Sequence, residues 1–241
     1  MSPSLILMQL MDKEIISLHN LVKQFPSGDG LFTALKNINI AFRAGEFTGL
    51  VGPSGSGKTT LLNIIGSLDI PSEGKALVLG QDISQLNPKE AAKLRSEGIG
   101  FIFQSYNLLP VYTVFENVEF ALLLQKQSKE VRRKAVMEAL EWVGLTDKAS
   151  QRPANLSGGE CQRVAIARAM VKRPSIVLAD EPSANLDAEN SHNILRTMRK
   201  LNKELNTTFL FATHDEKVMQ YLKRTIRLKD GQVVDDIVSN S

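Results

Sequence analysis

One stretch of eight residues constrains the fold of this chain more than any other feature. It reads Gly52-Pro53-Ser54-Gly55-Ser56-Gly57-Lys58-Thr59 and matches the pattern G-x-x-x-x-G-K-[ST], which is typical of a phosphate-binding loop, or P-loop. The run before it, 47–51, predicts a buried strand, and the residues from Thr60 onward predict a helix. These flanking elements are the context that the motif requires, and they argue against a chance turn of glycine and serine.

The groups in this loop are suited to holding phosphates. Glycines allow successive backbone N–H groups to turn inward, and the helix that follows offers free donors and a partial positive charge. Lys58 adds a full positive charge. The Thr59 hydroxyl is a typical ligand for the Mg²⁺ that accompanies a nucleoside triphosphate. The sequence therefore predicts a nucleotide site at this loop.

Composition excludes several other classes of protein. The 241 residues carry a net charge of +3, with acids and bases mixed, so no stripe suited to nucleic acid is expected. Cys161 is the single cysteine, which rules out an internal disulfide and favours a reducing compartment. No apolar run approaches the roughly 18 residues of a membrane span. Residues 1–11 make a poor signal peptide, and we expect them to be an extension without fixed structure, with Met8 or Met11 as a candidate start.

Strands alternate with helices along most of the chain, which predicts an α/β fold with a largely parallel core sheet. We expect a turn-rich loop at 25–30 and a helical subdomain at about 105–155, set into a core formed by about 13–104 and 156–235. The first strands are expected to form an antiparallel sheet against the core. The predicted strands are 14–21, 37–42, 47–51, 76–79, 99–103, 175–179, 208–212, 225–228 and 232–235; the predicted helices begin at Thr60 and span 88–96, 114–125, 129–143, 164–170 and 188–205.

Polar residues that suit nucleotide chemistry follow three of the predicted strands. Asp180 and Glu181 follow one, Gln104 a second and His214 a third. The carboxyl ends of parallel strands meet at the edge where ligands bind. Asp180 can hold Mg²⁺, and Glu181 can orient or deprotonate an attacking water. His214 can bind a terminal phosphate, and Gln104 can contact metal or water, although a lone Gln or His in such a place is usually structural.

Two further features have competing interpretations. Leu156-Ser157-Gly158-Gly159-Glu160 precedes an apolar helix, with Ser157 as a candidate N-cap. It is either a simple cap or a second anion-binding helix start. Phe25 stands in a polar stretch, where its ring is either a platform for a nucleobase or a core anchor for the loop. The residues alone do not separate these two interpretations.

Taken together, these motifs in this order resemble the ATP-binding cassette (ABC) ATPase family over nearly the whole chain. Residues 52–59 are similar to its Walker A loop, Gln104 to its Q-loop and 156–160 to its LSGGQ or LSGGE signature. Residues 176–181 resemble Walker B with its catalytic glutamate, 183–187 the D-loop and His214 the switch histidine. Phe25 falls where the family has its adenine-stacking aromatic residue, which favours the platform interpretation. The resemblance implies a P-loop NTPase (RecA-like) core with an antiparallel β subdomain and an inserted α-helical subdomain.

The resemblance also implies the ligands and the site. It implies ATP and Mg²⁺, with catalysis by Lys58, Gln104, Glu181 and His214, and metal contacts from Thr59, Gln104 and Asp180. The residues expected to contact nucleotide are Phe25, Gly52, Pro53, Ser54, Gly55, Ser56, Gly57, Lys58, Thr59, Thr60, Ser157, Gly158, Gly159, Glu160 and Asp187.

The same resemblance also implies binding partners and a cellular location. Residues 103–118 and 178–187 resemble the lipoprotein-releasing (LolD-type) and macrolide-export (MacB-type) group, with cell-division FtsE-type ATPases close by. This implies a second copy bound head to tail, a transmembrane permease that contacts about 106–116, and a place on the cytoplasmic face of the inner membrane. No nucleic acid is expected. FtsE-type or importer cassettes remain the alternatives.

Two departures from the family pattern stand out. Cys161 replaces the usual Arg or Gln, and Ser183-Ala184 replaces the usual Thr-Gly. A thiol in the first turn of a helix can have a lowered pKa, so one hypothesis is that Cys161 makes the protein sensitive to oxidants. The alternative is an inert thiol.

Other classes with a P-loop fit less well. A GTPase would need Asn-Lys-x-Asp, and residues 202–205 lack the aspartate. A soluble ABC ATPase of DNA repair would carry a long coiled coil, and one of translation usually carries two cassettes. A cassette that serves only as a scaffold would be expected to lack Lys58, Glu181 or His214.

Overall fold

The computed structural model describes residues 13–28 and 30–239. The expectation of an unstructured extension at 1–11 lies outside these residues. Among them, the strands are β1 (Glu14–Ser27), β2 (Gly30–Arg43), β3 (Phe47–Val51), β4 (Glu73–Val78), β5 (Gln81–Asp82), β6 (Ile99–Ile102), β7 (Ile176–Asp180), β8 (Thr208–Thr213), β9 (Arg224–Lys229) and β10 (Gln232–Val238). The helices are α1 (Lys58–Ile65), α2 (Pro88–Gly98), α3 (Val114–Glu119), α4 (Lys129–Trp142), α5 (Gly158–Met170), α6 (Ala188–Leu205) and α7 (Glu216–Met219).

These strands form two sheets. The first is antiparallel, in the order β2-β1-β4-β5. The second has the order β10-β9-β3-β8-β7-β6, and all its pairs are parallel except β10 with β9. The predicted α/β class, with a largely parallel core and a separate antiparallel sheet, is confirmed.

The central strands of the second sheet are buried on both faces, and successive side chains separate two cores. On β8, Phe209 and Phe211 belong to one core, whereas Leu210 and Ala212 belong to the other. The first core contains side chains of α3, α4, α5 and α6. The second contains α1 and the antiparallel sheet. Helices and the antiparallel sheet thus cover the parallel sheet from both sides and leave its carboxyl edge open.

Several predicted boundaries are wrong. The expected loop at 25–30 is mostly strand, since Phe25 pairs with Phe32 and Ser27 with Gly30 at the end of a long hairpin. Local turn signals at this position were overridden by pairing with β2. The predicted helix 114–125 ends as α3 at Glu119 and continues only as a 3₁₀ turn, Phe120–Leu122. Its apolar run misled the prediction, because Leu123 and Leu124 are 53% and 80% exposed.

Helix α6 has the predicted bounds, because Asp187 caps its start and the left-handed Asn206 ends it. Among residues 13–28 and 30–239, no helix is both long enough and apolar enough to span a bilayer.

Candidate functional site

The P-loop connects β3 to α1 and leaves the start of α1 open to an anion. Gly57 occupies the N-cap position with φ 101°, and neither a side-chain cap nor an acidic residue is present in the first turn. Leu35 Cδ2 and Ala34 O would lie 2.7 and 2.9 Å from a β-carbon at Gly57. Both the backbone angle and this close approach therefore require glycine. The uncapped N–H groups are the donors that a phosphate would accept.

Lys58 and Ser56 add two groups without a strong partner of their own. The Lys58 ammonium is buried and donates to the carbonyls of Gly52 (2.8 Å) and Pro53 (3.0 Å). A buried cation bonded only to backbone carbonyls favours an anion nearby. Ser56 Oγ is buried and has no hydrogen-bond partner in the described part of the chain. Both observations suit a loop that closes around a phosphate.

The two carboxylates at the end of β7 point to different partners. Asp180 Oδ2 accepts a hydrogen bond from Thr59 Oγ1 at 3.0 Å. Glu181 has a left-handed backbone, with φ 47°, and its carboxylate contacts His214 Nδ1 at 2.6 Å and Thr213 Oγ1 at 3.2 Å. A left-handed non-glycine residue costs about 1–3 kcal/mol. This turn aims one acid at the P-loop threonine and the other at the histidine.

His214 and Glu181 form the second polar pair of the site. The histidine side chain is 71% exposed, whereas that of Glu181 is 15% exposed. With Glu181 ionised, its oxygen can only accept, so His214 Nδ1 must be the donor. His214 Nε2 then carries a proton for a phosphate oxygen only in the doubly protonated form.

Burial raises the pKa of Asp180, and the neighbouring Glu181 carboxylate raises it further. The Thr59 hydroxyl and the Lys58 ammonium oppose this shift. The ionised Asp180 is therefore short of positive charge in the protein alone, and a cation bound beside it would supply that charge.

The donors beside Asp180 fit Mg²⁺. Thr59 Oγ1 and Asp180 Oδ2 lie together, and Gln104 lines the same cleft. Mg²⁺ prefers oxygen ligands and usually binds through one or two carboxylates together with water and phosphates. No group of three or more His, Cys, Asp or Glu suited to a metal occurs among residues 13–28 and 30–239. The protein thus offers part of a shell that a nucleotide would complete.

Most of the predicted site residues line one cleft of about 440 Å³. Phe25 lies in the wall of this cleft and the residue is 36% exposed, which argues against the core-anchor interpretation. Two further lining residues, Phe32 and Ala34, were missed by the sequence analysis. The pairing of Phe32 with Phe25 would have revealed Phe32 once the hairpin was known. The predicted residues in the cleft are Phe25, Ser54, Gly55, Gly57, Lys58, Thr59, Thr60, Gln104, Asp180, Glu181 and His214.

The signature residues do not line this cleft. Ser157 Oγ accepts from Glu160 N at 3.2 Å, and the Glu160 carboxylate accepts from Ser157 N at 2.8 Å, which is a complete capping box for α5. A β-carbon at Gly159 would lie 2.5 Å from Asn190 Oδ1, so the helix start packs closely on α6. The N–H groups of Gly158 and Gly159 have no acceptor within the helix.

The D-loop residues connect neighbouring parts of the site rather than line it. Asp187 caps α6, with its carboxylate accepting from Asn190 N at 2.8 Å. Asn185 Nδ2 donates to Gln104 O at 3.0 Å, and Ser183 Oγ donates to Asp215 Oδ2 at 3.0 Å. The segment thus ties the Q-loop and the end of β8 to Walker B.

The suggestion that the Cys161 thiol has a lowered pKa is wrong. Burial raises the pKa of this thiol, and the adjacent Glu160 carboxylate raises it further. The sulfur lies 3.8 Å from Pro153 O, a weak hydrogen bond. Burial of the sulfur is the larger of these two effects, and both disfavour the thiolate despite its place in the first turn of α5.

Comparisons with known proteins agree with this site. A family model described as ABC transporter matches residues 35–184. The chain is 44% identical to the uncharacterised ABC transporter ATP-binding protein MJ0796 of Methanocaldococcus jannaschii, over 91% of this chain and 95% of that protein. It is 42% identical to the lipoprotein-releasing system ATP-binding protein LolD of Pseudoalteromonas translucida, over 92% and 96%.

Two other comparisons extend the result. The chain is 44% identical to the macrolide export ATP-binding/permease protein MacB of Rhodopirellula baltica, over 92% of this chain but only 33% of that protein. A solved structure, described as a dimeric post-hydrolysis state of the MJ0796 cassette bound to ADP and Pi, superposes with a TM-score of 0.86 and 41% identity. It covers 94% of this chain and 99% of that chain. From its matched family model, its relatives and its fold, this chain belongs to the ABC transporter family, as one of the family's ATP-binding subunits.

Proposed function

We propose that this chain hydrolyses ATP with Mg²⁺ and thereby drives a separate membrane permease. One observation carries the proposal. The Glu181–His214 pair and the Thr59–Asp180 pair lie in the same cleft as the P-loop lysine. Phosphoryl transfer to water needs these parts: donors for phosphates, oxygens for a metal and a group that orients water.

Each residue has a defined task in this proposal. Lys58 and the open start of α1 bind the phosphates. Thr59, Asp180 and Gln104 hold Mg²⁺, which when bound would neutralise charge on phosphate oxygens. Glu181 orients or deprotonates the attacking water, and His214, in its doubly protonated form, donates from Nε2 to the terminal phosphate. The hydrogen bond from Asn185 to the Gln104 carbonyl keeps the Q-loop beside the site.

The proposal includes a second copy of the chain. The signature residues lie outside the cleft of their own chain, yet Ser157 and the N–H groups of Gly158 and Gly159 offer donors at a helix start. A head-to-tail pair would place them over the ATP of the partner. The MJ0796 cassette, 41% identical to this chain, has been solved as a dimer, which supports this arrangement. Glu160 and Asp187 would act there by capping α5 and α6.

The permease would bind the helical segment of about 105–155, which we propose to be a separate subdomain. The segment exposes a cluster of apolar side chains around the Tyr112–Phe120 ring contact of 6.4 Å. Val111 beside it is 71% exposed. The likeness to LolD and MacB supports an export or lipoprotein-releasing partner, and a place at the cytoplasmic face of the inner membrane.

Loss of hydrolysis with retention of binding tests the core of the proposal. Glu181→Gln should lower ATP hydrolysis by about 10²- to 10⁴-fold, because the general base is lost, and it should still bind ATP. Glu189→Gln is the matched control, an exposed acid in the first turn of α6, and should hydrolyse at the wild-type rate. Near-normal hydrolysis by Glu181→Gln would contradict the assignment of the base.

A further inference from the structure

The Lys23 ammonium lies against the ring of Phe25. Lys23 belongs to β1 and is only 8% exposed, and its Nζ lies 4.8 Å from the centroid of the ring. Nζ also donates to Asp69 Oδ1 at 2.6 Å and to Ile70 O at 2.9 Å. An ammonium has three N–H donors, so these two oxygens leave one for the ring. A cation within about 6 Å of a ring centroid is attracted to the face of the ring.

The loop that follows α1 holds this lysine in place. Asp69 Oδ1 also accepts from Ile70 N at 2.8 Å, which fixes the carboxylate. On either side of Lys23, Ser72 N donates to Val22 O at 2.8 Å and Gln24 N donates to Ser72 Oγ at 3.0 Å. Because α1 begins at the P-loop, a short path connects the phosphate-binding end of the cleft with the Phe25 ring.

The position of Phe25 makes such support consequential. The residue lies near the tip of the β1–β2 hairpin, two residues from Ser27, with its ring partly exposed along the cleft. A ring left free there would have to be ordered when a base stacks on it, and that ordering weakens binding. Contact with Lys23 on one face would order the ring beforehand, and a base would then stack on the opposite face.

We propose that Lys23, held by Asp69, is a positioning residue that fixes the Phe25 ring for stacking against the nucleobase. This rests on the proposed function, in which ATP fills the cleft with its base at Phe25. A purely structural Lys23–Asp69 ion pair would support the hairpin and affect every ligand alike. A positioning role affects only ligands that carry a base.

ADP and pyrophosphate separate these two roles, because they share the diphosphate and differ by the adenosine. Isothermal titration calorimetry would measure both with Mg²⁺ on the full chain. We expect Lys23→Met to weaken ADP binding by about five- to tenfold, the scale of one immobilised side chain, and to leave pyrophosphate binding within about twofold. Lys23→Arg keeps the charge, the ion pair and the ring contact, and should restore most of the ADP affinity.

A cycle with Phe25→Ala completes the test. Phe25→Ala should itself weaken ADP more than pyrophosphate, and Lys23→Met should then have no further effect on the ratio of the two affinities. Equal weakening of both ligands by Lys23→Met, or an undiminished effect in the Phe25→Ala background, would overturn the positioning role alone. An unchanged ratio in Phe25→Ala would instead overturn the base site of the proposed function, and this inference with it.

Discussion

The ionised form of the Asp180 carboxylate is disfavoured in the protein alone, and a cation bound beside it would stabilise that form. Its pKa is raised by burial first and by Glu181 second. For an acid with a raised pKa in the folded state, ionisation costs stability. At a pH above the raised pKa the ionised group therefore destabilises the fold, and this loss is relieved as the pH falls through the raised pKa towards the ordinary value. Asp187 is the opposite case, because a hydrogen bond from the Asn190 backbone lowers its pKa. Its contribution is present at neutral pH and is lost as the pH falls.

The same substitution at these two positions should therefore have opposite effects. Without ligand at pH 7, Asp180→Asn should raise the melting temperature, because a buried charge is removed, and it should abolish Mg²⁺-dependent hydrolysis. Asp187→Asn should lower the melting temperature. Differential scanning fluorimetry checks both, and the difference for Asp180→Asn should shrink as the pH falls. A lower melting temperature for Asp180→Asn would contradict the account of the metal site.

At the scale of elements, two helix starts are built differently for related tasks. Helix α1 begins without any side-chain cap and leaves its donors for a ligand. Helix α5 begins with a capping box formed by the side chains of Ser157 and Glu160. Ser157 is thus both a structural cap and, in the proposed dimer, a contact for ATP on the partner.

A second capping box separates these two roles of Ser157. Asn87 and Glu90 cap α2 in the same reciprocal way, away from the cleft. Ser157→Ala and Asn87→Ala should each lower the free energy of unfolding by about 1 kcal/mol. ATP hydrolysis should fall only in Ser157→Ala. Urea unfolding and ATP hydrolysis would be measured for both variants. Equal hydrolysis in the two would mean that Ser157 acts only as a helix cap.

Elements near the phosphate site could be predicted from sequence because their signals are local. Asp187 fixes where α6 begins, and the apolar run of β7 fixes where Asp180 falls. The β1–β2 hairpin and the contacts within the site could not be predicted in this way, because they join residues that are distant in sequence. Phe32 lies beside the cleft through its pairing with Phe25, and the Lys23 ammonium beside Phe25 is bound by Asp69, 46 residues further along the chain. The Cys161 prediction failed because it weighed the helix start and left out burial and Glu160.

At the scale of the whole molecule, the site and the proposed permease surface lie on different parts of one chain. The apolar cluster around Tyr112 and Phe120 follows the Q-loop directly in sequence, and Arg168 of α5 donates to the carbonyls of Tyr106 and Asn107, both at 2.6 Å. Arg168 thus ties the segment between Gln104 and this surface to α5.

A charge placed on that surface should release the chain from the proposed permease. Val111→Glu should reduce the amount of the chain that sediments with membranes containing the proposed permease, and should leave basal ATP hydrolysis unchanged. Val238→Glu is the matched control, since this valine is 65% exposed on β10 against 71% for Val111. Equal sedimentation of both variants would place the permease contact elsewhere. A charge substitution at Glu116, which lies in the same segment, would test this contact less cleanly, because the Glu116 carboxylate caps α3.

The composite site between two copies is the central claim, and the solution mass of Glu181→Gln tests it most directly. Without hydrolysis, a bound ATP should stay between the P-loop of one chain and the signature of the other. We expect light scattering to report a monomer without nucleotide, a monomer with MgADP and a dimer with MgATP, and Ser157→Ala should weaken that dimer. A monomer that holds MgATP, shown by nucleotide content, would contradict the claim.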